Sequence, residues 1–293
     1  MIYRLEGVSK LYPTRQGPVS SIAGITFDIL EGEQVAVLGP SGSGKTTLFR
    51  LLNATLRTTA GSLSFAGERV DRMSARELRA MRRRIGTIYQ QHHLVPSLTA
   101  LDNTLCGKLG AWSLLHTIRS MVRPSRHEVE QATAALELVG LADKRRARAD
   151  ELSGGQQQRL AIARVLMQDP EVILADEPFA SLDPALTESV AALLLSLARD
   201  RRRTLIVTLH DVEMALRYFP RIIALRAGRL AFDTTPDRID LEALDELYAV
   251  DPDRRRSPGG LNGRPADRLT ILDGEDEDDE TIDRDGFMRG LSG

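Results

Sequence analysis

The stretch "VAVLGPSGSGKTTLFRLL", residues 35 to 52, decides how the rest of the chain is read. It opens with four apolar residues that do not alternate with polar ones, which suits a strand buried on both faces. Gly39 to Thr46 follows as Gly39, Pro40, Ser41, Gly42, Ser43, Gly44, Lys45 and Thr46, and fits the phosphate-loop pattern G-x-x-x-x-G-K-[ST]. A helical run comes directly after it. In such a loop the backbone N–H groups wrap a β-phosphate, the lysine reaches the β- and γ-phosphates, and the threonine hydroxyl binds Mg²⁺. The bare pattern arises by chance in about one sequence per hundred of this length. The strand–loop–helix setting removes that ambiguity, so the chain is expected to bind a nucleoside triphosphate.

Outward from the loop, further short apolar runs occur at 83–90, 171–178, 204–211 and 221–228, with helical patterns between them. This alternation implies an α/β core around a parallel sheet. Strand-like runs at 63–70 and 229–235 read as antiparallel additions. Capping boxes mark helix starts at Ser74 with Glu77 and at Ser125 with Glu128. From about 91 to 168 only helical patterns remain, which predicts a helical subdomain inserted into the core.

Bulk properties fit a soluble globular chain of 293 residues, 42% hydrophobic and 27% charged. A single cysteine, Cys106, excludes an internal disulfide and a cysteine-based zinc cluster and suggests the cytosol. It reads as a small buried apolar residue. No apolar run approaches the roughly 18 residues of a membrane span, and "MIYRLEGVSK" lacks the apolar centre of a signal peptide. Charge is divided unevenly. Residues 251–293 carry 12 acids and 7 bases, net −5, leaving +3 on residues 1–250. With "EDEDDE" at 275–280, the segment 249–293 reads as an acidic tail of poor order, a solvated tail being favoured over an autoregulatory one.

Three further features carry chemistry. Asp176 and Glu177 end the run "VILADEP", where a carboxylate beside a phosphate loop can hold Mg²⁺ and its neighbour can polarise a water. His210 ends "LIVTLH", at the strand end where parallel sheets place ligand contacts, although a histidine there is more often structural. In "ELSGGQQQRLAIARVL" (151–166), Ser153 is a good N-cap and Gly154 and Gly155 fall in the first helical turn. Each glycine there costs about 1 kcal/mol against alanine. Such an end is either an anion site bared for a ligand or an ordinary capped surface helix with incidental glycines.

Taken together, Gly39–Thr46, Gln90 in "TIYQQ", "LSGGQ" (152–156), "ILADEP" (173–178), "SLD" (181–183) and His210 resemble, in order and spacing, the ATP-binding subunit of ABC transporters. Within that family the chain is most similar to the ATPases of phosphonate importers. The similarity rests on "QQHHLVPSLTALDNTL", "RADELSGGQQQRLAIARVLMQDP", "ILADEPFASLDP" and "RIIALRAGRLAFD". "TLH" departs from the expected Asn before Leu-His, and His92–His93 stand where an aromatic and Asn are usual.

The resemblance implies a P-loop NTPase core of RecA-like type with an antiparallel β subdomain. It covers residues 1–248, with 1–90 and 169–248 as core and 91–168 as the helical signature subdomain. It implies that Tyr12 stacks on adenine, that Gly42, Gly44, Lys45, Thr46 and Thr47 hold phosphate and Mg²⁺, and that Gln90 reaches metal and water. Asp176 joins the metal shell, Glu177 is the general base and His210 touches the γ-phosphate. Two subunits would pair head to tail around two ATP molecules. Ser153, Gly154, Gly155 and Gln156 of each would then face the partner's nucleotide, and Asp183 would reach across the dimer. His92, His93, His116 and His127 lack a metal-ligand context and read as surface or packing residues.

Separate membrane permeases are implied, docking near residues 90–115, where Trp112 fits subdomain packing slightly better than docking. A substrate-binding protein is implied indirectly, nucleic acid is not, and the subunit would lie on the cytoplasmic face of the inner membrane. Rival readings are another importer, an exporter ATPase, or a soluble ABC ATPase. The last usually carries duplicated modules or coiled-coil insertions, of which this sequence has none.

Overall fold

The computed structural model describes residues 1–249 apart from Gln16, His92, Ala180, Ser181 and Asp183. The expected acidic tail, His92 and Asp183 thus lie outside the described residues. The chain opens with a long hairpin, β1 (Tyr3–Thr14) and β2 (Gly17–Ile29), and continues into β3 (Gln34–Leu38), the phosphate loop and α1 (Lys45–Leu52). After α1 come β4 (Ala60–Phe65), β5 (Glu68–Arg69), α2 (Ala75–Arg83) and β6 (Ile85–Ile88). The helical stretch holds α3 (Ala100–Leu105), α4 (Leu114–Val122), α5 (Arg126–Leu138) and α6 (Gly154–Gln168). The chain then returns through β7 (Val172–Asp176), α7 (Pro184–Asp200), β8 (Thr204–Thr208), α8 (Val212–Tyr218), β9 (Arg221–Arg226), β10 (Arg229–Thr234) and α9 (Leu241–Tyr248).

Two sheets result. One is antiparallel, in the order β2-β1-β4-β5; the other runs β10-β9-β3-β8-β7-β6, parallel except for its β10 edge. Strands β3, β7, β8 and β9 of the second sheet are buried on both faces, as their unbroken apolar runs require. Val35 and Val37 of β3 point into the core shared with α1 and the antiparallel sheet, while Ala36 and Leu38 point into the core shared with α6 and α7. Val172 and Leu174 against Ile173 and Ala175 of β7 divide the same way. Side chains alternate along a strand, so layers of helix can sandwich the sheet, and its five parallel strands open their C-termini on the same edge. That edge carries the phosphate loop, Asp176 and His210.

The capping boxes at Ser74/Glu77 and Ser125/Glu128 are both formed. Cys106 differs from its reading as a buried residue: it is half-buried, and desolvation pushes its thiol up. Among the described residues no helix is long and apolar enough to cross a membrane.

Candidate functional site

The phosphate loop takes its shape from glycines that no other residue could replace. Gly39 has φ +151°, and a Cβ there would lie 2.2 Å from the Leu225 carbonyl oxygen. Gly44 has φ +108°, and a Cβ would meet the Ser21 carbonyl and Ile22 Cδ1, both at 2.7 Å. Gly42, at φ +78°, differs in that a Cβ would meet nothing within 4 Å. The loop is therefore packed tightly underneath and open above Gly42. α1 starts from Gly44 with no side-chain cap, so its first-turn N–H groups face that opening uncapped. Ser43 is buried in the loop with its Oγ unpartnered. Ser21 Oγ holds Thr47 Oγ1 at 2.7 Å from the side of β2. The cradle fits a triphosphate.

Lys45 is 4% exposed, and its Nζ donates to the carbonyls of Gly39 (2.6 Å) and Pro40 (3.2 Å). Burial lowers its pKa, against the opposing pull of Glu177 and Asp176. Nζ also lies 3.4 Å from His210 Nδ1, and His210 Nε2 pairs with Glu177 Oε1. This sets the tautomer on simple grounds: Nδ1 accepts from the ammonium, so Nε2 carries the hydrogen donated to the carboxylate. Lys45, His210 and Glu177 form one continuous chain.

Thr208, a residue that sequence reasoning overlooked, holds the Asp176 carboxylate and the Glu177 backbone. Parallel pairing of β7 and β8 sets Asp176 beside Thr208. The Thr208 hydroxyl donates to Asp176 Oδ1 at 2.7 Å and accepts from the Glu177 N–H at 2.9 Å. Burial raises the Asp176 pKa, while the Thr208 bond, Lys45 and Arg50 pull it down. Glu177 itself is held at φ +47°, a left-handed backbone that costs a non-glycine residue about 1–3 kcal/mol. Strain of this kind at a strand end aims a side chain. For Mg²⁺ the chain offers hard oxygen donors: the exposed hydroxyl of Thr46, the carboxylate of Asp176 and the exposed amide of Gln90. Among the described residues no cluster of His, Cys, Asp and Glu competes as a metal site.

Gln90 is anchored through its neighbour. Tyr89 packs edge-on against Phe49 of α1 at 5.7 Å and against His93 at 4.5 Å, and Arg164 of α6 donates to the His93 carbonyl at 2.6 Å. Tyr12 is half-buried on β1 opposite Val19, with Lys10 Nζ 5.6 Å from its ring centre. A second residue outside any motif, Tyr248 of α9, donates to the His210 carbonyl at 3.4 Å.

At the start of α6 the structure differs from a bared helix end. Ser153 Oγ accepts from the Gln156 N–H at 3.3 Å, and Gln156 Oε1 accepts from the Ser153 N–H at 3.0 Å, a complete capping box. Gln157 Nε2 donates to the carbonyls of Ala149 and Leu152. The two glycines also part company. A Cβ on Gly154 would meet open space, whereas one on Gly155 would lie 2.1 Å from Leu186 Cδ2 of α7. A side chain on Gly155 would thus have to displace the tip of the half-buried Leu186, whereas Gly154 leaves its backbone open to approach. Among the described residues no hydrogen bond joins Ser153–Gln156 to the phosphate loop of the same chain.

The family described as "ABC transporter" matches residues 22–180. The chain belongs to the ABC transporter family. Its cassette is an ATPase of that family, and it binds ATP. The phosphonates import ATP-binding protein PhnC of Anaeromyxobacter dehalogenans is 47% identical over 85% of this chain, and the chain spans half of that protein's length. The PhnC of Pseudomonas fluorescens is 43% identical over 79% of this chain and 86% of its own. Among solved structures, a dimeric ATP-binding cassette in a post-hydrolysis state with ADP and Pi superposes with a TM-score of 0.70. It is 30% identical and covers 80% of this chain and 99% of its own. A dimeric bacterial ABC transporter cassette superposes equally well, at 31% identity with the same coverage.

Proposed function

We propose that this chain is the ATP-hydrolysing subunit of an ABC importer for phosphonate, peripheral on the cytoplasmic face of the membrane and acting as an ATP-bound homodimer on membrane permeases. The continuous Lys45–His210–Glu177 chain beside the open cradle carries the hydrolytic reading. The names of the 40–47% identical relatives support phosphonate import, and the dimeric solved cassettes support pairing. A substrate-binding protein would deliver the ligand.

In this reading residues 1–90 and 169–248 are the nucleotide-binding core and 91–168 the signature subdomain. Gly39 to Thr47 bind the triphosphate. Lys45 exchanges its two loop carbonyls for β- and γ-phosphate oxygens, trading neutral acceptors for charged ones. Thr46, Asp176 and Gln90 hold Mg²⁺, which when bound offsets the charge gathering on the phosphates. Glu177 takes the proton of the attacking water, and its strained backbone and Thr208 keep the carboxylate aimed. His210 orients that carboxylate through Nε2–H. Tyr12 stacks on adenine, and Ser153, Gly154, Gly155 and Gln156 receive the γ-phosphate of the opposite subunit at the positive end of α6.

Glu177→Gln tests this directly, since it keeps size and removes the base. The variant should bind ATP, fall by orders of magnitude in hydrolysis, and run as a dimer on size exclusion only with ATP. Adding Ser153→Arg should abolish the dimer while ATP binding survives. A double variant that still dimerises refutes the role given to α6.

A further inference from the structure

Helix α4 is built inside out. Its inward face is polar: Ser120 is 1% exposed, and His116 Nε2 lies 2.7 Å from Oε1 of the buried Glu128. Its outward face is apolar, with Leu114, Leu115, Ile118, Met121 and Val122 each 55–82% exposed. At 100° per residue these five side chains share one stripe about 120° wide. Leaving such a stripe in water is unfavourable, and contiguous apolar patches on soluble chains mark surfaces that something covers.

Charge identifies the cover. From Asn103 to His127 the sequence contains no Asp or Glu, yet it carries Lys108, Arg119, Arg123 and Arg126. Arg119 borders the stripe, 56% exposed and 3.6 Å from Glu128. Arg123 and Arg126 close the C-terminal end of α4, exposed and without an ion-pair partner among the described residues. A second copy seated on this face about a two-fold axis would bring arginine against arginine. The cavity that borders this face, beside Leu105, Trp112 and Met121, holds about 80 Å³, too little to seat a peptide. An apolar ridge flanked by arginines suits a surface that is deformable, apolar beneath and anionic on top.

We propose that α4 docks on an anionic lipid bilayer. Its five aliphatic side chains enter the boundary between headgroups and acyl chains, and Arg119, Arg123 and Arg126 pair with lipid phosphates. The site goes beyond the import reading and rests on it only for the presence of a membrane. It uses none of the nucleotide-binding residues.

The test is co-sedimentation of the full chain with two sets of vesicles, phosphatidylcholine alone and phosphatidylcholine with a third phosphatidylglycerol, at low and high salt. Trp112, the single tryptophan, packs with its ring tilted against His116 of α4 at 4.7 Å and serves as a fluorescence reporter. Binding and a blue shift are expected with phosphatidylglycerol and not without it, and both should weaken with salt. Removing Arg123 or Arg126 should cost about fivefold each. Ile118→Glu with Val122→Glu should abolish binding while leaving the melting temperature and basal ATP hydrolysis unchanged, since both side chains are exposed. Absence of vesicle binding, equal binding to both lipid compositions, or full binding by the double variant overturns the proposal. Capture of the chain by solubilised permease without vesicle binding would overturn it in favour of a protein partner. Loss of ATP hydrolysis in the wild-type chain would instead count against the ATPase reading, so the two failures are separable.

Discussion

Alanine at Gly155 and alanine at Gly154 should change stability in opposite directions. Both residues lie in the first turn of α6 with helical backbone, so replacing either lowers the entropy lost on folding by about 0.5–1 kcal/mol. For Gly154 that is the whole effect, because a Cβ there meets nothing within 4 Å. For Gly155 the new methyl would lie 2.1 Å from Leu186 Cδ2. Carbon atoms need about 3.5–4 Å, so Leu186 must leave its rotamer or α6 must move off α7. Overpacking of this kind costs about 1–3 kcal/mol, leaving Gly155→Ala up to about 2.5 kcal/mol less stable than the wild type. The two variants should thus differ by about 1–3 kcal/mol, readable from urea midpoints at equal m-value. If Gly155→Ala matches Gly154→Ala in stability yet loses ATP-dependent pairing, the glycine is there for ligand approach and the packing argument fails.

Two further outcomes are expected. Lys45→Ala should abolish ATP hydrolysis and sharply weaken nucleotide binding in a fluorescence titration, since the buried ammonium is the cradle's counter-charge; wild-type turnover would contradict the assignment. Burial pushes the Glu128 carboxyl up, but the bonds to Ser125 and His116 outweigh it and bring its pKa from 4.5 to about 2. Its stabilisation is therefore fully present above pH 4.5 and disappears as pH falls toward 2. Glu128→Gln should cost about 2–3 kcal/mol at neutral pH and next to nothing near pH 2, and a penalty independent of pH would show that packing dominates.

The parts of the fold that announced themselves are those where one local requirement dominates the sequence. Strands β3, β7, β8 and β9 read as unbroken apolar runs because both faces of the sheet are covered. The N-terminal hairpin did not. The register of β1 slips between Leu5 and Val8, between Val8 and Lys10, and again before Leu11, so its buried residues lose the period of two that reveals a strand. The phosphate loop was legible because its glycines and lysine answer to a fixed geometry. Thr208 was not, since its role depends on which strand lies beside β7, and pairing order is a tertiary fact. Tyr248 belongs to no motif and meets His210 only because α9 packs back on the core. The two glycines of "LSGGQ" look alike in sequence, and only the position of Leu186 tells them apart.

The reciprocal cap between Ser153 and Gln156 has a consequence for the life of the subunit. A helix end that depended on an anion to satisfy its donors would leave α6 half-formed until nucleotide and partner arrived together. Here the end is closed by its own two side chains, so the signature subdomain can mature alone and wait. In the proposed pairing, docking a γ-phosphate would then be an exchange of partners at a finished surface, with no ordering of the backbone to delay it. On that reading the helix end needs neither nucleotide nor partner to keep its fold, and pairing and separation would leave α6 intact.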